Sequence, residues 1–413
     1  MLRFYKLNLS KKILFLALLV LLFQCTSTTS NRGLQGIKSK SGKVAVGRDS
    51  IVKLNIKELS DTVDLPLSTV VDNLEIVQLE DKEEAYTSAN ITVLSPSYIG
   101  IGGGMSSPFK LFDRKSGKFL ANVGNLGRGP GEYINVYSAQ IDEANNRVYL
   151  LPWQQQVILV YDLQGNPLKP IPTPYNMPKA ALRVDTKNET VIIGVLPFEG
   201  IKSVVWEQDF KGTILSEVPA GHLTVVPDFS NEVNVGNNVD AFDFSLVTWL
   251  GKPDSLYNYL PNENRLKPVF TIDFDYTPSN KKEEKYRLEP NENAPIHSYV
   301  ELPKYFMASV SFPKKVDANS WSTSVPVWLM VDKQSLKSSY FRLKNDFLGG
   351  FITWPSFSQK HYIYNSEPSN LLKQLDLSIK EDKMDNKVKE RVIAVKAGIN
   401  PDGNNIVIIG KIK

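Results

Sequence analysis

A strand–turn–strand pattern recurs along this sequence at an almost constant interval, and this repetition constrains the fold more than any other feature. Residues 109–120 read FKLFDRKSGKFL, residues 157–168 read VILVYDLQGNPL and residues 204–215 read VVWEQDFKGTIL. In each copy an apolar run leads to an Asp and then to a Gly, residues that favour tight turns. The Asp residues of successive copies are 49 and 47 residues apart. Such a period predicts a repeated supersecondary unit.

A second pattern is offset from the first and has nearly the same period. Residues 142–146 and 185–188 are Asp/Asn turns that precede the apolar runs RVYLLPW and ETVIIGVLPF. Together the two patterns divide each unit of about 45 residues into four short strands, which is the signature of a β-propeller blade. The length after residue 73 allows six or seven blades, and insertions such as residues 280–294 favour six.

The last blades are more degenerate, although residues 241–274 and 299–343 still show paired strands. We expect residues 351–372 and 405–413 to form the final blade, and residues 74–79, LEIVQL, to close it as its outer strand. Between these two runs, residues 379–395 are highly charged and favour a short, solvated helical insertion at the rim.

The first 24 residues predict a secretory signal, because four basic residues precede the apolar run ILFLALLVLLF, which is too short to span a membrane. The sequence Leu22-Phe23-Gln24-Cys25 resembles the lipobox of bacterial lipoproteins, which implies acylation of Cys25, the only cysteine. We therefore expect a signal peptide over 1–24, a lipidated cysteine with a flexible tether over 25–50, and an all-β propeller domain over 51–413. An ordinary secreted protein is the alternative.

The segment from Phe112 to Gly165 carries a wider resemblance. It holds a Phe-Asp-x-x-x-Gly-Lys hairpin at residues 112–118 and a Gly-Pro-Gly-Glu-Tyr linker within residues 127–133. This segment resembles the six-bladed β-propeller lipoproteins of gut-dwelling Gram-negative bacteria, which are related in form to NHL-repeat propellers. The resemblance implies fold and envelope location, but no biochemical activity.

Charge and motifs exclude several functions. The sequence has 48 basic and 44 acidic residues, and its first 24 residues hold four of the basic ones and no acid, so the mature chain is neutral. Nucleic acid is therefore not an expected partner. Three dispersed histidines, expected on loops or at the surface, and the absence of metal-binding motifs predict no metal site and no cofactor. No catalytic residue is assigned, since no nucleophile elbow is present.

A ligand-binding role rests on one cation and four aromatic residues placed near expected strand ends. Aromatic rings in a funnel mouth bind sugars and other ring-shaped ligands, whereas packing between blades is the alternative role. The candidates are Arg128, Trp153, Phe198, Trp249 and Trp354.

The leading hypothesis is a non-catalytic envelope lipoprotein that binds a protein or a glycan-like ligand. The alternatives are a propeller hydrolase or lyase acting on envelope or dietary polysaccharide, for which acids should cluster with His or Tyr at one funnel mouth, and a scaffold in a larger assembly. The membrane lipid would be contacted through acylated Cys25. Because Thr-Ser-Thr-Thr-Ser follows the cysteine without an acidic cluster, the expected site is the periplasmic side of the outer membrane, with exposure at the cell surface as the alternative.

Overall fold

The computed structural model describes residue 37 and residues 41–88, 91–225, 230–236, 240–249, 254–274, 292–318 and 320–413. The predicted signal segment, Cys25 and most of the predicted tether lie outside the described residues. Within them, no helix is both long and apolar enough to cross a bilayer.

The N-terminal segment lies along three blades in turn. Its strands are β1 (Gly42–Ala45), β2 (Ile51–Asn55), β3 (Thr62–Pro66) and β4 (Glu75–Gln78). Strand β1 falls inside the range expected to be a tether, and it pairs antiparallel with β2. Strand β2 pairs parallel with the outer strand of blade four, and β3 does the same on blade five. Two blades thereby gain extra outer strands.

The first three blades are four-stranded antiparallel sheets. Blade one contains β5 (Ile91–Leu94), β6 (Tyr98–Gly102), β7 (Phe109–Asp113) and β8 (Phe119–Val123). The connection to blade two holds the short parallel pair β9 (Asn125–Leu126) and β10 (Glu132–Tyr133). Blade two contains β11 (Val136–Asp142), β12 (Arg147–Pro152), β13 (Val157–Tyr161) and β14 (Ile171–Pro172). Blade three contains β15 (Ala180–Asp185), β16 (Thr190–Val195), β17 (Ser203–Asp209) and β18 (Ile214–Pro219).

The last three blades carry the additions. Blade four contains β19 (Glu232–Val235), β20 (Phe242–Val247), β21 (Ser255–Leu260) and β22 (Arg265–Asp273). Blade five contains β23 (Ile296–Glu301) and β24 (Tyr305–Ser311), then the hairpin β25 (Pro313–Lys315) and β26 (Trp321–Thr323), then β27 (Val327–Asp332), β28 (Ser338–Asn345) and β29 (Phe351–Ile352). Blade six contains β30 (Phe357–Ser358), β31 (His361–Ser366), β32 (Ile406–Lys411) and β4, with α1 (Pro368–Glu381) and α2 (Asn386–Gly398) between β31 and β32.

Six blades close into a ring through a strand from each end of the chain. Strand β32 pairs antiparallel with β4, and Ile406 lies opposite Gln78 while Ile409 lies opposite Glu75. The prediction that residues 74–79 form the outer strand of the last blade is confirmed, as is the six-bladed, all-β fold. Pairing the two ends within one sheet joins the last blade to the first part of the chain, so the ring is held by backbone hydrogen bonds.

Each blade exposes two ends, which give the disc two different faces. Because the four strands alternate in direction, the loops between the first and second strands and between the third and fourth lie at one end, here called the hairpin face. The loops between the second and third strands lie at the other end together with the connections between blades. This second end is called the crossover face.

The turns of the hairpin face follow the predicted chemistry. The Asp209 carboxylate accepts hydrogen bonds from the amides of Lys211 and Thr213, at 2.9 and 2.8 Å. Asp162 holds the equivalent turn of blade two in the same way. The turn of blade one is one residue longer than those of blades two and three. Its Gly117 amide donates a hydrogen bond to the Asp113 carbonyl oxygen. The repeated Asp residues are turn formers, as predicted.

The helical insertion differs from its expected bounds. Two helices replace the one expected over 379–395, and α1 begins at Pro368, where a proline suits the first turn of a helix. Residues 368–372, expected in the last blade, therefore belong to α1. Leu371 and Leu375 are one helical turn apart and fully buried with Val392 of α2 against blades five and six. The helices are anchored by this packing, with only their outer sides in solvent.

Candidate functional site

The five residues expected to bind ligand all lie on the crossover face. Arg128 is in the connection from blade one to blade two, and Trp354 precedes the inner strand of blade six. Trp153, Phe198 and Trp249 each follow the second strand of blades two, three and four. The sequence patterns placed them near strand ends, and the alternation of strand direction puts these ends on one face.

The five side chains differ in how far they reach solvent. Arg128 is exposed and Trp354 is 53% exposed, whereas the other three are half-buried. The Trp153 amide donates to the carbonyl oxygen of Asn135 at 2.9 Å. The Trp249 amide donates to Oδ1 of Asn231, in the equivalent place, at 2.8 Å. Among the described residues, no hydrogen bond or ring contact joins two of the five candidates, so what they share is a face and not a direct contact.

The Gly-rich connection that carries Arg128 is anchored by two tyrosines. The buried Tyr133 hydroxyl donates to the Val123 carbonyl oxygen at 2.6 Å and accepts from the Phe109 amide at 2.8 Å. From blade two, the Tyr161 hydroxyl donates to the Gly131 carbonyl oxygen at 2.7 Å. Gly131 has a φ of 75°, a conformation that favours glycine. The connection is therefore a crossover between blades, as predicted, and its backbone is fixed by side chains from both.

An ion pair lies where the inner strands of blades three and four begin, at the axial mouth of the crossover face. The buried Lys179 ammonium bonds the Glu232 carboxylate and, at 2.8 Å, the Asn231 carbonyl oxygen. The same ammonium lies 5.9 Å from the centre of the Tyr137 ring on blade two. Burial raises the pKa of Tyr137, and the Glu232 charge adds to this effect. Sequence patterns gave no signal for this grouping, because its members come from three separate blades.

A second titratable cluster is buried between blades four and five. The Tyr299 hydroxyl donates to the Asp254 carbonyl oxygen at 2.9 Å, and the Asp254 carboxylate accepts from the Leu246 amide at 2.9 Å. His297 packs against Tyr299, and burial lowers the pKa of His297 to about 4. The expectation that every histidine is on a loop or at the surface is wrong for His297, which is 3% exposed in β23. Its packing between rings makes the neutral imidazole part of the core.

Side chains that could bind a metal ion lie apart from one another in the described part of the chain. No three His, Cys, Asp or Glu side chains there are grouped so that they could hold a metal ion. His361 is half-buried in β31 and its Nδ1 lies 2.8 Å from the Gln359 carbonyl oxygen. His361 lies at the hairpin end of blade six and His297 at the crossover end of blade five, so the two rings belong to separate environments.

Comparison with known proteins places the chain in a family. Residues 51–411 match the family model DUF4934, described as a domain of unknown function. The chain belongs to this family. The match covers all six blades, including the three strands β2, β3 and β4 that the N-terminal segment adds. No curated protein matches the sequence.

Solved structures support the same fold. The chain is similar to a protein from Bacteroides fragilis that is inferred to be exported, with a TM-score of 0.56 and 14% identity over 87% of this chain and 98% of that chain. A DUF4221 member from Bacteroides vulgatus has a TM-score of 0.45 and 9% identity over 83% of this chain and 97% of that chain. A periplasmic gluconolactonase from Pseudomonas aeruginosa has a TM-score of 0.36 and 8% identity over 66% and 74%. The last two scores are too low to carry an argument.

Proposed function

We propose that the mature protein is an exported, lipid-anchored, NHL-like propeller of the cell envelope. Its crossover face binds a protein or a glycan-like ligand without catalysing a reaction. The candidate residues share this face, and their spread over several blades suits a broad surface better than a closed pocket.

The distribution of exposed apolar side chains carries this proposal. Among the described residues, nine of the thirteen large apolar side chains in solvent lie on the crossover face, so this face offers a partner more apolar surface than the other. On that face they are Tyr86, Met105, Val316, Val325, Val327, Ile352, Trp354, Leu377 and Ile393. Toward the hairpin face they are Val44, Val46, Leu120 and Leu215.

The anchor rests on the sequence. The predicted signal peptide ends at residue 24, directly before Cys25, and the first described strand begins at Gly42, so a short polar stretch separates the expected lipid from the ring. The Bacteroides fragilis protein of the same fold is inferred to be exported, which agrees with this location. We place the anchor on the periplasmic side of the outer membrane.

Two residues of equal exposure allow a matched test of the binding face. Trp354 and Leu215 are both 53% exposed, on the crossover and hairpin faces respectively. We expect Trp354→Ala, alone or with Arg128→Ala, to weaken binding about tenfold in a glycan and peptide array, followed by titration of each hit. Leu215→Ala should leave binding unchanged. Equal loss in both variants, or no loss with Trp354→Ala, would contradict the proposal.

The anchor has its own test. Mass spectrometry of the processed protein should find acyl chains on an N-terminal Cys25, and Cys25→Ser should move the protein from the membrane fraction to the soluble fraction. An unacylated N terminus would remove the membrane placement and leave the binding face unaffected. Protease added to intact cells should spare the protein if the anchor faces the periplasm.

A propeller lyase or hydrolase is the second candidate, and one observation favours it. Glu232, Tyr137 and Lys179 bring an acid, a phenol and an amine together at the axial mouth. Glycoside hydrolysis uses two carboxylates, and this group supplies one, which favours a lyase over a hydrolase. Release of unsaturated sugar ends from envelope or dietary polysaccharide, abolished by Glu232→Gln, would support this candidate.

A further inference from the structure

A cleft of about 580 Å³ lies between blades three and four, away from the axis. It exists because the two blades differ in width. Blade four is extended by β2 and β1, whereas blade three ends at β18. One wall is therefore the face of β21, β22 and β2, and the other is the end of β18 with the turn that follows it, which contributes Val218, Pro219 and His222. The volume suits a small organic ligand.

Four polar side chains form a row across the wider wall. In the sheet register, Lys43 lies opposite Lys53, Lys53 opposite Thr271, and Thr271 opposite Ser255. Side chains of directly paired residues lie on the same face of a sheet. Lys53, Thr271 and Ser255 all line the cleft. An ammonium and two hydroxyl groups are thus aligned along one wall.

The charge of the cleft is one-sided. Among the described residues that line it, none is a carboxylate. The Lys43 ammonium forms an ion pair with the Glu58 carboxylate at 3.0 Å. Arg265, at the opposite end of the cleft, forms an ion pair with Asp49. No ion pair joins the exposed Lys53 to another described residue, and it stands directly beside a like charge. Like charges placed opposite each other repel, so an anion at Lys53 would be stabilising.

Apart from His222 and Asn264, the remaining lining of the cleft is apolar and aromatic, which narrows the class of ligand. Val218, Pro219, Leu266 and Pro268 supply apolar surface, and Tyr257 supplies an aromatic ring. A sugar has hydroxyl groups at its rim and an apolar face, and it commonly contacts such mixed surfaces. We propose that this cleft binds an anionic saccharide, with its carboxylate or phosphate at Lys53 and its hydroxyl groups at Thr271 and Ser255. This site is separate from the binding face proposed above.

Calorimetry with four probes tests the proposal on the protein as the cell processes it. The probes are trigalacturonate, glucose 6-phosphate, neutral galactotriose and citrate. We expect one of the two anionic sugars to bind about tenfold more tightly than both galactotriose and citrate at low salt. The tighter of the two identifies the acid group. If galactotriose binds with the same affinity as the anionic sugars, the proposed role of the ligand's charge is wrong. If citrate binds equally well, the cleft does not recognise a saccharide. If no probe binds, the cleft is not a binding site for this class of ligand.

Variants locate the binding in the cleft. Lys53→Met should lower the affinity for the preferred probe about tenfold, and Thr271→Val should lower it severalfold. Each substitution removes one contact and keeps the size of the side chain. Lys187→Met removes an exposed lysine from the hairpin face of blade three and should change nothing. Unaltered affinity in Lys53→Met would overturn the proposal. Trp354→Ala should keep this affinity, which separates the cleft from the crossover-face site.

Discussion

The two faces of the propeller are built from the same strands but follow different rules. On the hairpin face, an Asp carboxylate bonds the backbone amides of its own turn, as Asp162 and Asp209 do. On the crossover face, the Gly-rich connection is held by contacts distant in sequence: its own Tyr133 bonds the backbone of blade one, and Tyr161 of blade two bonds its Gly131. Local turn chemistry therefore sets these hairpins, whereas the Gly-rich connection depends on tertiary contacts. The exposed apolar side chains are concentrated on the crossover face.

The largest expected difference between the faces concerns two glycines with similar backbone geometry, of which only the one on the hairpin face approaches a neighbouring blade. Gly165 on the hairpin face has a φ of 85°, and an added Cβ would lie 2.0 Å from the Asn122 carbonyl oxygen of blade one. Gly200 on the crossover face has a φ of 92° and no atom within 4 Å of such a Cβ. We expect Gly165→Ala to lower the free energy of unfolding by about 4 kcal/mol and Gly200→Ala by about 1 kcal/mol. Urea unfolding measures both, and equal losses would show that the close approach of blade one adds nothing to the backbone strain at Gly165.

The pH dependence of stability tests the packing near the crossover end of blades four and five. His297 stays neutral in the folded protein down to about pH 4, while its ordinary pKa is 6.5, so the unfolded chain binds the proton first. The free energy of unfolding should therefore fall by about 3 kcal/mol as pH drops from about 6.5 to about 4, with no change from this group above that range. His297→Phe should remove this part of the slope. An unchanged slope would mean that His297 is protonated in the fold.

The Gly-rich crossover should depend on one hydroxyl group. Tyr133→Phe leaves the Phe109 amide and the Val123 carbonyl without their buried partner, which should cost about 2 kcal/mol. Tyr98→Phe is the control, since the Tyr98 hydroxyl makes no hydrogen bond within the described residues, and its cost should stay below about 0.5 kcal/mol. If both variants lose the same stability, the crossover is held by packing alone.

The smallest expected effect concerns the exposed apolar side chains. Trp354→Ala and Leu215→Ala remove side chains of equal exposed fraction from opposite faces, so each should change the free energy of unfolding by less than about 1 kcal/mol. Chemical denaturation provides the measurement. A large loss of stability for Trp354→Ala alone would show that this ring supports the fold. The proposed binding role would then have to be tested at another residue of the crossover face.

The same contrast explains what could be predicted from the sequence. The Asp–Gly hairpins and the closing strand at residues 74–79 were predicted because turn chemistry and strand periodicity are local signals. The sequence gives no such local signal for the parallel pairing of β2 and β3. Each of these strands is placed by the outer strand of the blade with which it pairs. The onset of α1 was missed because Pro368 follows a strand directly and the apolar residues of this stretch suited either structure.

The candidate site shows the same limit. Trp153 and Trp354 could be placed on one face because each lies near a strand end in the sequence pattern. The direction of the strands alternates in the same way in every repeat, so these ends meet on the same side. The Lys179–Glu232 pair and the row from Lys53 to Ser255 could not be found in this way. Their members are brought together by ring closure and by sheet widening, so distance along the chain hides them.

The route of the N-terminal segment also sets how the molecule would respond to tension. A pull on the chain ahead of Gly42 reaches β1 and β2 on blade four first, then β3 on blade five, and only then β4 in blade six. The first two steps remove added strands and leave every blade with four. Only the third opens the ring. If the protein is anchored through Cys25 as proposed, two layers of added strands lie in series between the anchor and the ring closure, so a moderate force would lengthen the molecule before the ring opens.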